Sequence, residues 1–257
     1  MEADLEKPGV NIVFLEETDS TNEEIKRRAQ KGAAEGLTVI AASQSNGQGR
    51  SGRSFYSPKG GNLYLSTYLK PKDSNLLSKL TVMAAVATAE AVNNIFFVKD
   101  NVCDKARIKW VNDIFLREKK IGGIIAKAEN YNTENQYVIL GIGVNIYKNP
   151  NVPEELANVY GSIYDENMPI NEDISKKLAG EILRIFYGLY NNPEMFDYMD
   201  RYRKLSCVIG KDVVYFAGNK ENVVKVLDID DNGGLVVADE NNCKTVYRDG
   251  EIRIRIK

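Results

Sequence analysis

Apolar and polar positions along the chain change period several times, and each change marks an element. Residues 11–16 read as a short strand and 37–42 as a uniformly apolar, buried one. Between them Asp19-Ser20-Thr21-Asn22-Glu23-Glu24 leads into a helical stretch over 25–31, and Ser20 with Glu23 has the spacing of a capping box. Residues 62–70 set Leu63, Leu65, Thr67 and Leu69 against Tyr64, Ser66 and Tyr68, the period of two at which side chains point to opposite faces of a sheet. An alanine-rich helical pattern fills 76–97. The apolar runs 108–116 and 121–128 flank Arg117-Glu118-Lys119-Lys120 and predict an antiparallel hairpin. A three-residue loop there puts Asp113 opposite Gly123, its carboxylate beside bare backbone. A further strand covers 137–143, and two polar, proline-containing stretches, 148–153 and 166–169, lead to helices over 174–190 and 193–205.

After residue 205 the texture changes to short β-rich runs at 213–217, 223–227, 235–238, 245–247 and 252–256, broken by Gly, Asn and Asp. This predicts a small five-stranded barrel, so the chain divides into a domain over 1–205 and another over 206–257. The alternating ending EIRIRIK reads as an edge strand with its basic residues toward water rather than as an anion site.

Composition mainly excludes. The chain has 257 residues, with 34 Lys and Arg against 36 Asp and Glu, a net charge of −2. Bulk attraction to nucleic acid or membrane is therefore not expected, and any anion site must be local. There is no histidine, which removes Ser-His-Asp and Cys-His catalysis, an imidazole base and histidine metal ligands. Cys103, Cys207 and Cys243 are odd in number and show no CxxC spacing, which suggests neither a disulfide framework nor a zinc site and points to a reducing, cytoplasmic setting. The first residues lack a basic region followed by an apolar core, and no apolar run approaches the ~20 residues needed to span a bilayer.

Three clusters could carry chemistry. From Gly47 to Arg53, three glycines open the backbone to a ligand while Arg50 and Arg53 offer planar donors for phosphate or carboxylate. The run is neither a Walker A loop nor a GxGxxG turn, although an unstructured RG-type RNA-binding segment would look similar. Lys109, Asn112 and Asp113 interrupt an otherwise apolar strand, as either a functional group or a buried Lys109–Asp113 ion pair. Gly141-Ile142-Gly143-Val144-Asn145 ends a strand where a flat ligand could lie on bare backbone, with Asn145 reading an amide-like edge or a ribose; tight core packing explains the glycines equally well.

In order and spacing, Asp19-Ser20-Thr21-Asn22, Gln44 with GQGRSGR, KWVND, KIGGI and GIGVN resemble the biotin protein ligase family, the biotin–[acetyl-CoA-carboxylase] ligases, over nearly the whole chain. That resemblance implies an α+β catalytic domain like class II aminoacyl-tRNA synthetases, with a mixed sheet and flanking helices, followed by a small SH3-like β-barrel. It implies an ATP- and Mg²⁺-dependent ligase that makes biotinyl-5′-AMP and passes biotin to a lysine of a biotin carboxyl carrier domain. It places Ser20, Thr21, Asn22 and Gln44 around the biotin head group, and Gly47, Gln48, Gly49 and Arg50 in a loop folding over biotin and the adenylate. Lys120 bridges the biotin carboxylate and the α-phosphate, and Asp113 orients the acceptor lysine or metal-bound oxygens, the metal arriving with ATP. Gly122, Gly123, Gly141 and Gly143 wall the biotin slot; Arg53, Phe55, Lys109, Asn112 and Asn145 lie toward ATP.

The chain departs from the family pattern in three places. Gln48 stands where a basic residue is usual, Phe55 where a tryptophan often stacks on adenine, and Val111 replaces the proline of KWPND with a residue still compatible with a strand. Lipoate–protein ligases share the chemistry but carry a glycine motif with histidine, and a sensor without catalysis would not need Lys120 and Arg50. About ten residues precede the first strand, too few for a winged helix-turn-helix, so the expectation is a monofunctional ligase without sequence-specific DNA binding; monomer and homodimer both fit.

Overall fold

Residues 11–71, 76–96, 105–130, 133–164, 168–217, 220–248 and 253–256 are described by the computed structural model. Cys103 lies outside them. Strands β1 (Asn11–Leu15), β2 (Leu37–Ala41), β3 (Leu63–Leu69), β4 (Arg107–Lys109), β5 (Asp113–Leu116), β6 (Lys119–Glu129) and β7 (Tyr137–Val144) form one sheet in the order β1-β2-β3-β7-β6-β5-β4. The β1–β2 pair is parallel and the other pairs are antiparallel, so the sheet is mixed as expected.

The alternation in β3 decides what each face carries. Leu63, Leu65 and Leu69 join the main core with helices α2 (Leu76–Phe96) and α3 (Glu172–Asn191), whereas Tyr68 joins Val39, Ile139 and Ile25 of helix α1 (Thr21–Gln30) on the opposite face. α2 is wedged into the main core with Leu80, Met83, Ala85, Ala87 and Val92 fully buried, as expected of a helix that is apolar all round. The α1 face leaves room beside that helix, over β3, β7 and β6, and there the site forms.

Helix α4 (Tyr198–Leu205) starts later than the predicted 193, because Asp197 accepts from the Asp200 amide at 2.8 Å and sets the N-cap there. It leads to β8 (Asp212–Ala217), β9 (Lys220–Ile229), β10 (Leu235–Ala238), β11 (Lys244–Tyr247) and β12 (Arg253–Ile256), an antiparallel sheet ordered β11-β10-β9-β8-β12. The terminal strand β12 is an edge strand, as its alternation predicts. Val213, Val226, Leu235 and Ile254 of this second sheet join the same hydrophobic cluster as α2. Trp110 Nε1 donates to Gly233 O at 2.9 Å, and Tyr202 of α4 donates to Val111 O at 2.9 Å.

Two local expectations are corrected. The predicted strand over 108–116 is broken at Trp110, Val111 and Asn112, which turn the chain so that Lys109 pairs with Asp113; Val111 sits in that turn, not in a strand. Ser20 occupies the N-cap position of α1 but makes no side-chain cap hydrogen bond; its amide donates to Asp19 Oδ1 at 2.7 Å, and Glu23 is turned to Gln48 at 2.8 Å.

Candidate active site

Two rows of paired residues floor the site. One runs Tyr64, Gly143, Gly123, Asp113, Lys109 across β3, β7, β6, β5 and β4; the next runs Ser66, Gly141, Ile125. With no side chains on Gly123, Gly141 and Gly143, the middle of the sheet is a trough. A methyl on Gly143 would stand 2.5 Å from the Phe55 ring, and one on Gly141 the same distance from Asn22 Oδ1.

At one end of the trough the polar side chains interlock. Gln44 Oε1 accepts from the Thr21 amide at 2.8 Å and from Thr21 Oγ1 at 3.1 Å, while Gln44 Nε2 donates to Ser57 Oγ at 2.8 Å. Ser66 Oγ lies 2.7 Å from Thr21 Oγ1 and 2.6 Å from Asn22 Oδ1. Thr21, Asn22 and Ser66 are buried, so the set is held rigid in low-dielectric surroundings where each hydrogen bond counts for more. Ser20 Oγ is buried beside them without a hydrogen-bond partner.

At the other end Lys120 Nζ lies 2.5 Å from Asp113 Oδ1. A β-bulge aims that lysine. The β5–β6 turn has two residues, Arg117 and Glu118, at φ 47° and 62°, the left-handed pair of a tight hairpin, and the register then shifts between Ile114 and Phe115. Strict alternation from Gly123 would turn Lys120 to the other face; the extra residue, Ile121, brings it back. The predicted pairing of Asp113 with Gly123 holds, through a two-residue turn plus a bulge instead of a three-residue loop. The Lys120 backbone is gripped on its second side by Val159 O and the Gly161 amide, each at 2.8 Å. Side-chain exposures of 33% and 27% leave the pair open to a ligand. Lys109 makes no such pair: its ammonium sits 5.2 Å from the Phe115 ring centre, and burial holds its pKa below the usual lysine range.

The glycine loop closes over the trough. Arg50 to Gly52 form a single 3-10 turn with Ser51 and Gly52 at positive φ, and Arg50 Nη1 donates to Asn112 Oδ1 at 2.6 Å. Asn112 Nδ2 in turn donates to Ile124 O at 2.6 Å, so the arginine is oriented by a carboxamide that is itself fixed. Phe55 turns its ring down onto Gly143 and stands edge-on to Tyr64, centroids 6.4 Å apart.

The cavity is about 760 Å³ and open on one side. Among its lining are Thr21, Asn22, Gln44, Gln48, Gly49, Arg50, Arg53, Phe55, Lys109, Asn112, Asp113, Lys120, Gly123, Gly141 and Gly143. Of the other residues singled out in the sequence, Ser20 lies behind Thr21, Gly47 packs against Phe55 O and Ser57 Oγ, and Gly122 faces Gly143 O and Ile114. Asn145 donates to Gly161 O at 2.9 Å, leaving Oδ1 buried without a partner. Ser66, Ile125, Phe216 and Ile254 were not singled out. Ser66 shares its strand face with Tyr64, a parity visible in the sequence, but Phe216 and Ile254 come from the second sheet, whose docking no local pattern announces.

Residues 14–145 match the model of the Biotin/lipoate A/B protein ligase family. The chain is 29% identical to the bifunctional ligase/repressor BirA of Escherichia coli over 250 residues, 96% of this chain and 75% of that protein. To the biotin–[acetyl-CoA-carboxylase] ligase of Mycobacterium tuberculosis it is 30% identical over 226 residues, 85% of this chain and 80% of the relative. In fold it is similar to the biotin protein ligase of Aquifex aeolicus in complex with biotin and ATP, with TM-score 0.77 and 24% identity over 96% of this chain and 99% of the other. The Leishmania major enzyme in complex with biotinyl-5-AMP superposes with TM-score 0.61 and 24% identity, covering 93% and 98%. On the family match and the mycobacterial relative together, the chain belongs to the biotin/lipoate A/B protein ligase family, as a biotin protein ligase.

Proposed function

We propose that this protein activates biotin with ATP as biotinyl-5′-AMP and transfers it to a lysine of a biotin carboxyl carrier domain. The observation that carries this reading is the trough itself. It is a glycine-floored slot with an interlocked amide and hydroxyl set at one end and an accessible Lys120–Asp113 pair at the other, which suits a ligand with a ureido head and a carboxylate tail.

In the first half-reaction a biotin carboxylate oxygen attacks the α-phosphorus and pyrophosphate leaves. Two anions must approach, and Lys120 between them supplies the positive charge that the crowded oxygens need. Arg50, steadied by Asn112, holds phosphate oxygens and keeps water from the mixed anhydride once the loop is shut. Thr21, Asn22, Gln44 and Ser66 meet the ureido group. Asp113 is the carboxylate here that would hold a Mg²⁺ carried in by ATP, which would supply charge neutralisation at the phosphates. In the second half-reaction the neutral amine of the acceptor lysine attacks the carbonyl, a proton is lost from nitrogen and AMP leaves. Asp113 positions that amine.

Residues 1–205 serve as the catalytic domain and 206–257 as an accessory barrel, which contributes Phe216 and Ile254 to the cavity wall. ATP and a carboxylase acceptor put the reaction in the cytoplasm. Among the described residues no helix is long and apolar enough to cross a membrane.

ATP–pyrophosphate exchange tests the reading without needing the acceptor. Exchange that requires biotin, and does not run with lipoate or with neither acid, is the expected result. Exchange with lipoate alone, or none from folded protein, overturns it.

A further inference from the structure

Gln48 is a neutral side chain at a loop position where the family pattern carries a positive charge, and the structure gives it two charged neighbours. Its Nε2 donates to Glu23 Oε1 on α1 at 2.8 Å, and its Oε1 accepts from Lys127 Nζ on β6. The two charges fix which way the carboxamide faces, since a flip would turn its NH₂ to the ammonium and its oxygen to the carboxylate. We propose that Glu23, Gln48 and Lys127 form a clasp that holds the glycine loop over the site, and that its strength sets how long the activated intermediate is retained. The first half of this stands on geometry alone; the second rests on the function proposed above.

Packing alone does not keep the loop down. A second cavity of about 600 Å³ opens between residues 46–54 and Ile125, Ala126 and Lys127, so the loop stands off β6 instead of lying on it. Inside the loop the backbone bonds run from Gly49 N to Arg53 O and from Phe55 N to Gly47 O, and these shape it without tying it to the sheet. Ties to the rest of the fold include Arg50 to Asn112 and the clasp. The charge missing from position 48 stands on β6 instead, at Lys127, on the same strand face as Gly123 and Ile125. All three clasp residues are half-buried, so solvent screens them only in part. None of them reaches the reacting atoms at the Lys120 end, and all three are positioning residues.

Amide hydrogen exchange across residues 46–54 reads the clasp without any catalysis. Lys127→Ala and Gln48→Leu should each speed exchange there about tenfold, and the double variant Gln48→Arg/Lys127→Glu, which rebuilds the bridge from full charges, should slow it again. Loop exchange unchanged in both single variants, or faster in the double variant than in either, overturns the clasp. Retention is read as biotinyl-AMP released to solution relative to carrier conjugate formed, which should rise about tenfold in Lys127→Ala and return in the double variant. A faster-exchanging loop with unchanged release overturns the link to retention. Absence of biotin-dependent pyrophosphate exchange in the unmodified chain instead overturns the proposed function, while loop exchange still decides the clasp.

Discussion

Adding one methyl to the floor of the trough, Gly141→Ala, asks whether the rows of paired residues form the ligand site. The new carbon would stand 2.5 Å from Asn22 Oδ1, 3.0 Å from Ile125 Cγ2 and 3.2 Å from Asn22 Nδ2. Ordinary contact begins near 3.4 Å, so the Asn22 carboxamide must retreat by about 0.9 Å. Its bond to Ser66 Oγ is 2.6 Å long, and a retreat of that size takes it to the edge of hydrogen bonding. Losing a buried hydrogen bond costs ~1–3 kcal/mol, and at ~1.4 kcal/mol per tenfold the biotin KM in pyrophosphate exchange should rise roughly five- to a hundredfold. A thermal melt run beside it separates this from unfolding, since ~1–3 kcal/mol of overpacking shifts a protein of this size by only about 2–4 °C per kcal/mol. A folded variant whose biotin KM stays within about twofold of the parent, below ~0.4 kcal/mol, would refute the assignment of Asn22 and Ser66 to the ligand.

Lys120→Met should leave the fold intact, because the pair it breaks is accessible, and should cut biotin-dependent exchange by about two to three decades, the scale seen when one preorganised donor is removed; exchange within tenfold of the parent refutes its role. Arg27 hydrogen bonds hold the Asp19 carboxyl well below its ordinary 3.8. Between the lowered value and 3.8 the unfolded chain binds more protons than the folded one, so the stabilisation is complete above about pH 4 and is lost as pH falls through the folded value. Denaturant midpoints of the parent and Asp19→Asn should therefore draw together as pH falls below about 4, and a gap that stays constant down to pH 2 refutes the linkage. Gly188, inside α3, has open space where a methyl would go; Gly188→Ala should stabilise by ~0.5–1 kcal/mol through helix propensity, seen as a higher melting temperature.

Much of this site was legible because side-chain parity in a strand is strict. Gly141 and Gly143 share a face, as do Gly123, Ile125 and Lys127, so one face of β6 and β7 could be drawn from the sequence. The same rule turns Gly122 away from Gly123, and the structure indeed points it at Gly143 O. Lys120 breaks the rule. By parity it belongs with Gly122, and only the extra residue in β6 returns it to the trough. A bulge has no composition of its own, so Lys120, the lysine proposed to bridge the two anions, is the one whose direction the alternation gets wrong. The hairpin arithmetic nonetheless put Asp113 opposite Gly123, because one residue fewer in the turn and one more in the strand leave the same register beyond the bulge.

Long-range partners follow a different logic. The capping-box spacing of Ser20 and Glu23 is a local signal, yet Asp19 takes the Ser20 amide at 2.7 Å and the Glu23 carboxylate meets Gln48, 25 residues away. With the Ser20 amide held by Asp19, the Glu23 side chain reaches the glycine loop instead, a partner that no local pattern announces. The second sheet makes the same point at larger scale. Phe216 and Ile254 alternate as any strand residues do, and nothing in that alternation says that they face a cavity walled by another sheet. Apolar packing of Val213, Val226, Leu235 and Ile254 into the main core holds the second sheet, and Trp110 adds a tie, its ring nitrogen donating to Gly233 O from the turn between Lys109 and Asp113. The turn that breaks the predicted strand over 108–116 is therefore also one of the places where the two sheets meet, so the residues that depart from the local pattern carry a long-range contact.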